Sequence, residues 1–243
     1  MKRNFIVALV LAMGLAGGGR AWAHGDLLAR IATLTAQLRT NQSNVELWLQ
    51  RAEIYRWHAD WAEARSDYAT VAKLAPKSDA LLFGLAQLNA DTGDLPAART
   101  AYDEFIQRFP TNGVAYLGRA RVLARLGERK AAISDFSRAI LLLTNPQPEE
   151  FLERAALQVD VSGPDEAIKG LDEGMARLGW VVTFQKVAIE YELKRKKPEP
   201  ALARLETILA RANRKETWLA WKGEIRSEEH TSELQSPYVI SYA

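Results

Sequence analysis

Cysteine is absent from the 243 residues, and that absence removes several kinds of protein together. Disulfide scaffolds, thiol nucleophiles, cysteine zinc sites and a lipid-modified cysteine anchor all need the side chain this chain lacks. Histidine is scarce, with three in the chain, and none falls in the His-Glu-x-x-His pattern of a zinc hydrolase. There is no Gly-x-x-x-x-Gly-Lys-Ser/Thr loop to cradle a phosphate and no Gly-x-Ser-x-Gly elbow to present a nucleophile. An excess of charge is lacking too. Lys and Arg number 32 against 30 Asp and Glu, a formal net charge of +2, which gives no long-range pull toward nucleic acid or an anionic membrane. The carboxylates fall on polar helix faces, with Glu190/Lys194 and Glu192/Lys196 at the i,i+4 spacing of surface ion pairs. A non-catalytic protein without a cofactor is expected.

Long apolar runs are missing except at the start. Lys2-Arg3 precedes Phe5–Leu15, a stretch too short to span a bilayer, and Ala21-Trp22-Ala23 ends the segment with small residues flanking one large one. Met1–Ala23 therefore reads as a secretory signal peptide. Cleavage after Ala23 would leave His24 first, on a periplasmic or secreted protein with no membrane insertion.

What is present is a period. Within Asp79–Asn112, Leu82, Leu85, Ala86 and Asn89 follow helical spacing, Gly93-Asp94 interrupts it, Ala98, Tyr102 and Phe105 resume it, and Pro110 ends it. One period earlier, Trp48, Arg51, Ala52, Tyr55, Ala64, Tyr68, Val71 and Pro76 occupy the same slots. One period later stand Tyr116, Arg119, Ala120, Leu123, Gly127, Ala132, Phe136 and Ala139. A fixed spacing of roughly 34 residues signals stacked helical hairpins. The small residues Ala52, Ala86 and Ala120, with Ala64, Ala98 and Ala132, mark where paired helices approach to about 8–10 Å. Tyr68, Tyr102 and Phe136 are expected to fill the gap toward the next hairpin.

The slot pattern resembles the tetratricopeptide repeat: a large residue at the fourth position, Ala at the eighth and twentieth, an aromatic at the twenty-fourth and Pro at the thirty-second. The resemblance implies an all-α, right-handed α-solenoid of helix-turn-helix repeats, about five plus a truncated sixth. The repeats are expected at residues 45–78, 79–112, 113–147, 148–182 and 183–215, with a partial one at 216–225. The first should hold helices at Val45–His58 and Trp61–Leu74. Residues 24–44 form a capping helix, with Leu27, Ile31, Leu34 and Leu38 on one face and Asp26 at its N-cap. In the fourth repeat Gly170, Gly174 and Gly179 are expected to weaken the second helix. Arg226–Ser236, RSEEHTSELQS, resembles the translation of a sequencing adapter. Residues 226–243 are therefore read as a non-native tail that interrupts the helix begun at Glu216.

Function is expected on the groove wall. In the family, positions five, nine, twelve and thirteen of each first helix face inward, which points to Leu49, Glu53, Arg56 and Trp57, then Phe83, Gln87 and Asp91, then Leu117, Arg121 and Arg125. The resemblance implies a peptide or protein partner, here in the cell envelope, resting on an apolar floor of Leu49, Phe83 and Leu117. Trp57 is the best contact by residue type, or else it packs against Trp61. Arg121 and Arg125 could meet a partner's carboxylate, or else pair with Glu128 or Asp91. The alternative reading is copper held by the α-amino group and imidazole of a mature His24, with His58 as a further nitrogen ligand. A third is a non-catalytic subunit of an envelope enzyme.

Overall fold

Helix is the only regular structure among the described residues. The computed structural model describes residues 19–234, with side chains from 27 to 227. Most of the expected leader and the last nine residues of the expected tail lie outside that span. Among the described residues twelve helices follow one another: α1 Gly19–Thr40, α2 Val45–His58, α3 Trp61–Leu74, α4 Asp79–Thr92, α5 Leu95–Arg108, α6 Gly113–Arg125, α7 Arg129–Leu142, α8 Pro148–Val161, α9 Pro164–Leu178, α10 Val182–Lys194, α11 Pro198–Arg211 and α12 Glu216–Leu234. The fold is an α-solenoid of helix-turn-helix repeats, as the period implies. The chain divides into two compact units, residues 1–88 and 89–243.

The helices start where the sequence supplies a cap. Asn44, Asp94 and Asn112 each accept a hydrogen bond from the backbone N–H three residues on, at 3.2, 3.3 and 2.9 Å, which satisfies a donor that the first turn leaves open. Gln147 and Glu150 form a capping box ahead of α8, where Pro148 occupies the first turn. Each hairpin turn then contains one residue of positive φ. These are Ala59 at 66°, Gly93 at 88°, Gly127 at 82°, Gly163 at 89° and Lys196 at 56°. Glycine adopts that conformation freely, whereas Ala59 and Lys196 hold it against the steric preference of an L side chain.

In the first unit, α1 packs on α2 and α2 on α3. Ala52 and Ala64 are fully buried, and Tyr68, Val71, Leu81 and Leu88 complete the cluster. Leu34 and Leu38 of α1 are buried as well, in keeping with a covering helix. Asp26 is not its N-cap, because α1 already runs from Gly19.

In the second unit, α5 through α12 pack each on the next. One cluster joins Leu117, Ala120, Phe136 and Ala139. A second joins Phe151, Leu171 and Phe184, and a third joins Ile189, Leu205, Ile208 and Ile225. Two of the glycines read as weak points have other roles. A Cβ on Gly174 would lie 2.7 Å from the Phe184 ring and 3.0 Å from Phe151, so its bareness is what admits those rings. Gly179 follows α9 at φ 82° and stops it. The change of composition at Arg226 brings no break either: α12 continues to Leu234, since nothing from 226 to 234 is Pro or Gly.

Candidate partner-binding surface

The candidate residues fall in both units. In the first, α2 presents its last turn. The Trp57 side chain is 61% exposed, while Trp61, at the start of α3, packs against the core. The two tryptophans do different things, and packing against Trp61 is not what disposes of Trp57. Behind Trp57, Glu53 and Arg56 are committed to one another. The Glu53 carboxylate accepts Arg56 Nε at 3.2 Å and Nη2 at 2.9 Å, and its other oxygen accepts the Tyr68 hydroxyl. Burial, reinforced by that hydrogen bond to a carboxylate, pushes the Tyr68 phenol well above its ordinary value. Leu49 is half-buried against the same cluster, and Phe83 and Gln87 are half-buried on α4. Gly84 between them lets Tyr68 approach, since a Cβ there would stand 2.7 Å from the phenol ring.

In the second unit, Arg121 and Arg125 lie one turn apart on α6 and both have protein partners. Arg121 donates to the Glu153 carboxylate on α8, at 3.0 Å from Nε and 2.8 Å from Nη2. Arg125 donates to the Ala90 carbonyl at 2.5 Å. Glu128 is engaged elsewhere, accepting Arg99 Nη1 at 2.5 Å. Asp91 is exposed. Leu117 is not floor: it is buried with Ala120, Phe136 and Ala139. The expected pairs on α10 do not form. Glu192 is buried and accepts Arg195 at 2.8 Å, while the Lys194 ammonium lies 5.1 Å from the centre of the Tyr191 ring.

For metal, His58 Nδ1 faces Asp60 Oδ2 at 2.9 Å. Among the described residues no three His, Asp or Glu side chains converge. The His24 side chain lies outside them.

A more regular feature escaped the sequence reading. Arg51 clasps Asp67 through Nε and Nη2 at 2.8 and 2.7 Å, and its Nη1 donates to Thr35 at 3.0 Å. Arg119 clasps Asp135 at 2.6 and 2.9 Å, and its Nη1 reaches Asp103 at 2.8 Å. Each guanidinium ties its own hairpin to the helix before it. The signal was available as Arg-Ala followed by Asp-aromatic sixteen residues on. The fourth hairpin keeps Arg154 but has Gly170 in the carboxylate's place. There Nη2 finds Glu173 at 2.6 Å, while Arg154 Nε and Gln158 Oε1 are buried without a hydrogen-bond partner. The Arg51 and Arg119 clasps are structural: each guanidinium is held at all three of its nitrogens by side chains of its own array.

Residues 49–113 and 93–148 match the family model described as the tetratricopeptide repeat. Tetratricopeptide repeat protein 36 of Danio rerio is 32% identical over 103 residues, 42% of this chain and 55% of that protein; the match spans about half the length of that curated relative. Among solved structures, a tetratricopeptide repeat protein from Parabacteroides merdae ATCC 43184 has a TM-score of 0.58 at 19% identity, over 87% of this chain and 83% of the other. PilW, a type IV pilus biogenesis factor, has 0.64 at 16%, over 79% and 89%. YrrB, described as having an unusual peptide-binding site, has 0.59 at 16%, over 78% and 97%. At these identities the likeness carries the fold.

Proposed function

We propose that this chain, which matches the tetratricopeptide repeat over residues 49–148, is a non-catalytic scaffold that holds another polypeptide, with Trp57 as a principal anchor. The observation that carries the proposal is the exposure of that indole, 61%, on a face whose neighbouring polar groups, Glu53 and Arg56, are already held in place. A rigid aromatic standing free beside a settled surface offers contact area at little entropic cost. Arg125 and Asp91 supply exposed charge on the second unit. Arg121 contributes to a partner only by giving up Glu153.

An exported scaffold with an envelope partner follows from the leader-like start. Among the described residues no helix is long and apolar enough to cross a membrane. YrrB's peptide-binding site is a precedent for a polypeptide partner on this fold. The test is capture from an envelope fraction by the immobilised chain and by Trp57→Ala, with helical circular dichroism matched. Loss of the captured species supports the proposal, and undiminished capture removes it.

A further inference from the structure

The second unit holds a recess that none of the expected site residues touches. It lies between α10 and α12, encloses about 570 Å³ and is lined by Lys186, Glu190 and Leu193 on one side and Trp218, Trp221 and Glu224 on the other. The indoles of Trp218 and Trp221 lie 6.3 Å apart between centroids, tilted 40°. Both are half-buried and pack against the cluster of Ile189, Leu205 and Ile225. They are aromatic walls fixed from beneath, so a visitor would not have to order them.

The rim decides what kind of visitor fits. Glu190 and Glu224 stand on opposite walls, and no ion pair forms at either, nor at Lys186, among the described residues. Nearby acids are otherwise engaged, as Asp172 is by Arg204 at 2.8 Å and Glu206 is by Lys222. Two carboxylates against the single ammonium of Lys186 leave the rim net acidic over an apolar floor, which disfavours phosphate, and with it nucleic acid and anionic lipid, and favours a cation attached to something apolar. We infer that the α10–α12 recess binds a segment of another polypeptide that presents a large apolar side chain followed by lysine or arginine. The apolar group enters between Leu193 and the two tryptophans, and the cation lies between Glu190 and Glu224. The inference rests on the reading of the chain as a polypeptide-binding scaffold, but not on Trp57.

The test uses the full chain and two fluorescein-labelled, C-amidated peptides, Ser-Gly-Phe-Lys-Gly-Ser and its counterpart with Glu for Lys, followed by anisotropy. The lysine peptide should bind at least tenfold more tightly than the glutamate one. Glu190→Lys with Glu224→Lys should reverse that preference, and raising the salt concentration should weaken it. These are exposed positions, so the variants fold. Trp57→Ala should leave lysine-peptide binding unchanged even if it abolishes capture of the envelope partner. Equal binding of the two peptides, binding of neither, or a preference surviving the double charge reversal would overturn the site. Sensitivity of lysine-peptide binding to Trp57→Ala would also overturn it, by moving the contact to α2, and would leave the scaffold reading standing.

Discussion

The buried guanidinium of the fourth hairpin permits a sharp stability prediction. Arg154 is 4% exposed, so the cost of removing its charge from water is already incurred whether or not it finds partners. What its surroundings lack is the carboxylate that Asp67 and Asp135 provide to Arg51 and Arg119. Replacing Gly170 with Asp and Gln158 with Leu reproduces the third hairpin, where Leu123 and Asp135 flank Arg119. A Cβ at Gly170 would stand 2.8 Å from Gln158 Oε1 and 3.3 Å from Arg154 Nη2, which is why the glutamine has to change as well. Supplying Nε with a carboxylate contributes about 1.5–3 kcal/mol, and removing the orphaned amide oxygen relieves a further ~1–3 kcal/mol. Against this, burying a carboxylate costs several kcal/mol when it is unpaired. Here the partner is in place, and Arg119 shows that one guanidinium on this scaffold accommodates two acids. A net gain of about 2 kcal/mol is expected for the double variant. Asp135→Gly in the third hairpin should do the reverse and cost about 1.5–3 kcal/mol, because Arg119 loses its two-pronged carboxylate and keeps only Asp103. Urea unfolding followed by circular dichroism measures both. Hydrogen exchange on α8 and α9 amides localises the change, since repeat arrays need not unfold in one step. A double variant no more stable than the parent, with Asp135→Gly costing under ~1 kcal/mol, would show that the clasps are ornaments of the fold.

Ala59→Gly and Lys196→Gly should each stabilise the chain by about 0.5–1 kcal/mol, since both residues hold φ near 60° where a Cβ costs roughly 1–2 kcal/mol and glycine gives back only part of that in chain entropy. Gly93→Ala should lower the urea midpoint for the same reason. A methyl group at Gly118 would fall on the buried Tyr102 hydroxyl, so Gly118→Ala should destabilise by about 1–3 kcal/mol and Tyr102→Phe should soften the loss. The phenol of Tyr68 is raised by burial and by its bond to Glu53. Its contribution is therefore whole below the unfolded tyrosine value of about 10 and declines as pH rises above that. Unfolding midpoints measured from pH 8 to 11 should fall less steeply at the alkaline end in Tyr68→Phe. An unchanged slope would mean that the phenol ionises in the fold as readily as outside it.

How far the sequence could be read depended on the distance over which each signal acts. The limits of α2 and α3 coincide with the expected Val45–His58 and Trp61–Leu74, because periodicity, caps and breakers act within a turn or two. Ala52, Ala64, Ala98 and Ala132 are fully buried, as a close helix crossing requires. The turn at Ala59 was illegible as a left-handed position, since alanine gives no sign of one. Partners were less legible still. Arg121 meets Glu153, 32 residues away, and Arg51 meets Asp67 across a hairpin. Neither distance is one at which a helix brings its own side chains together. Leu117 looked like floor because its slot faces inward in the family, yet here it is covered by Phe136 and Ala139.

The repeats differ outside their shared small-residue slots, and the differences follow a physical logic. An array gains stability from each hairpin and each interface separately, so one hairpin can give up a stabilising feature without the rest failing. The second does so outright, with Leu85 and Ala101 where the first and third hold Arg and Asp. The fourth does so halfway, with Arg154 facing Gly170. Such latitude lets α2 end in an exposed indole and leaves α10 and α12 parted over two tryptophans, at places where a packing-optimal sequence would bury both. The shared slots make the hairpins stack. What a given array holds is written in the residues that depart from them, and in this chain Trp57 and the acidic rim of Glu190 and Glu224 are the departures that face outward.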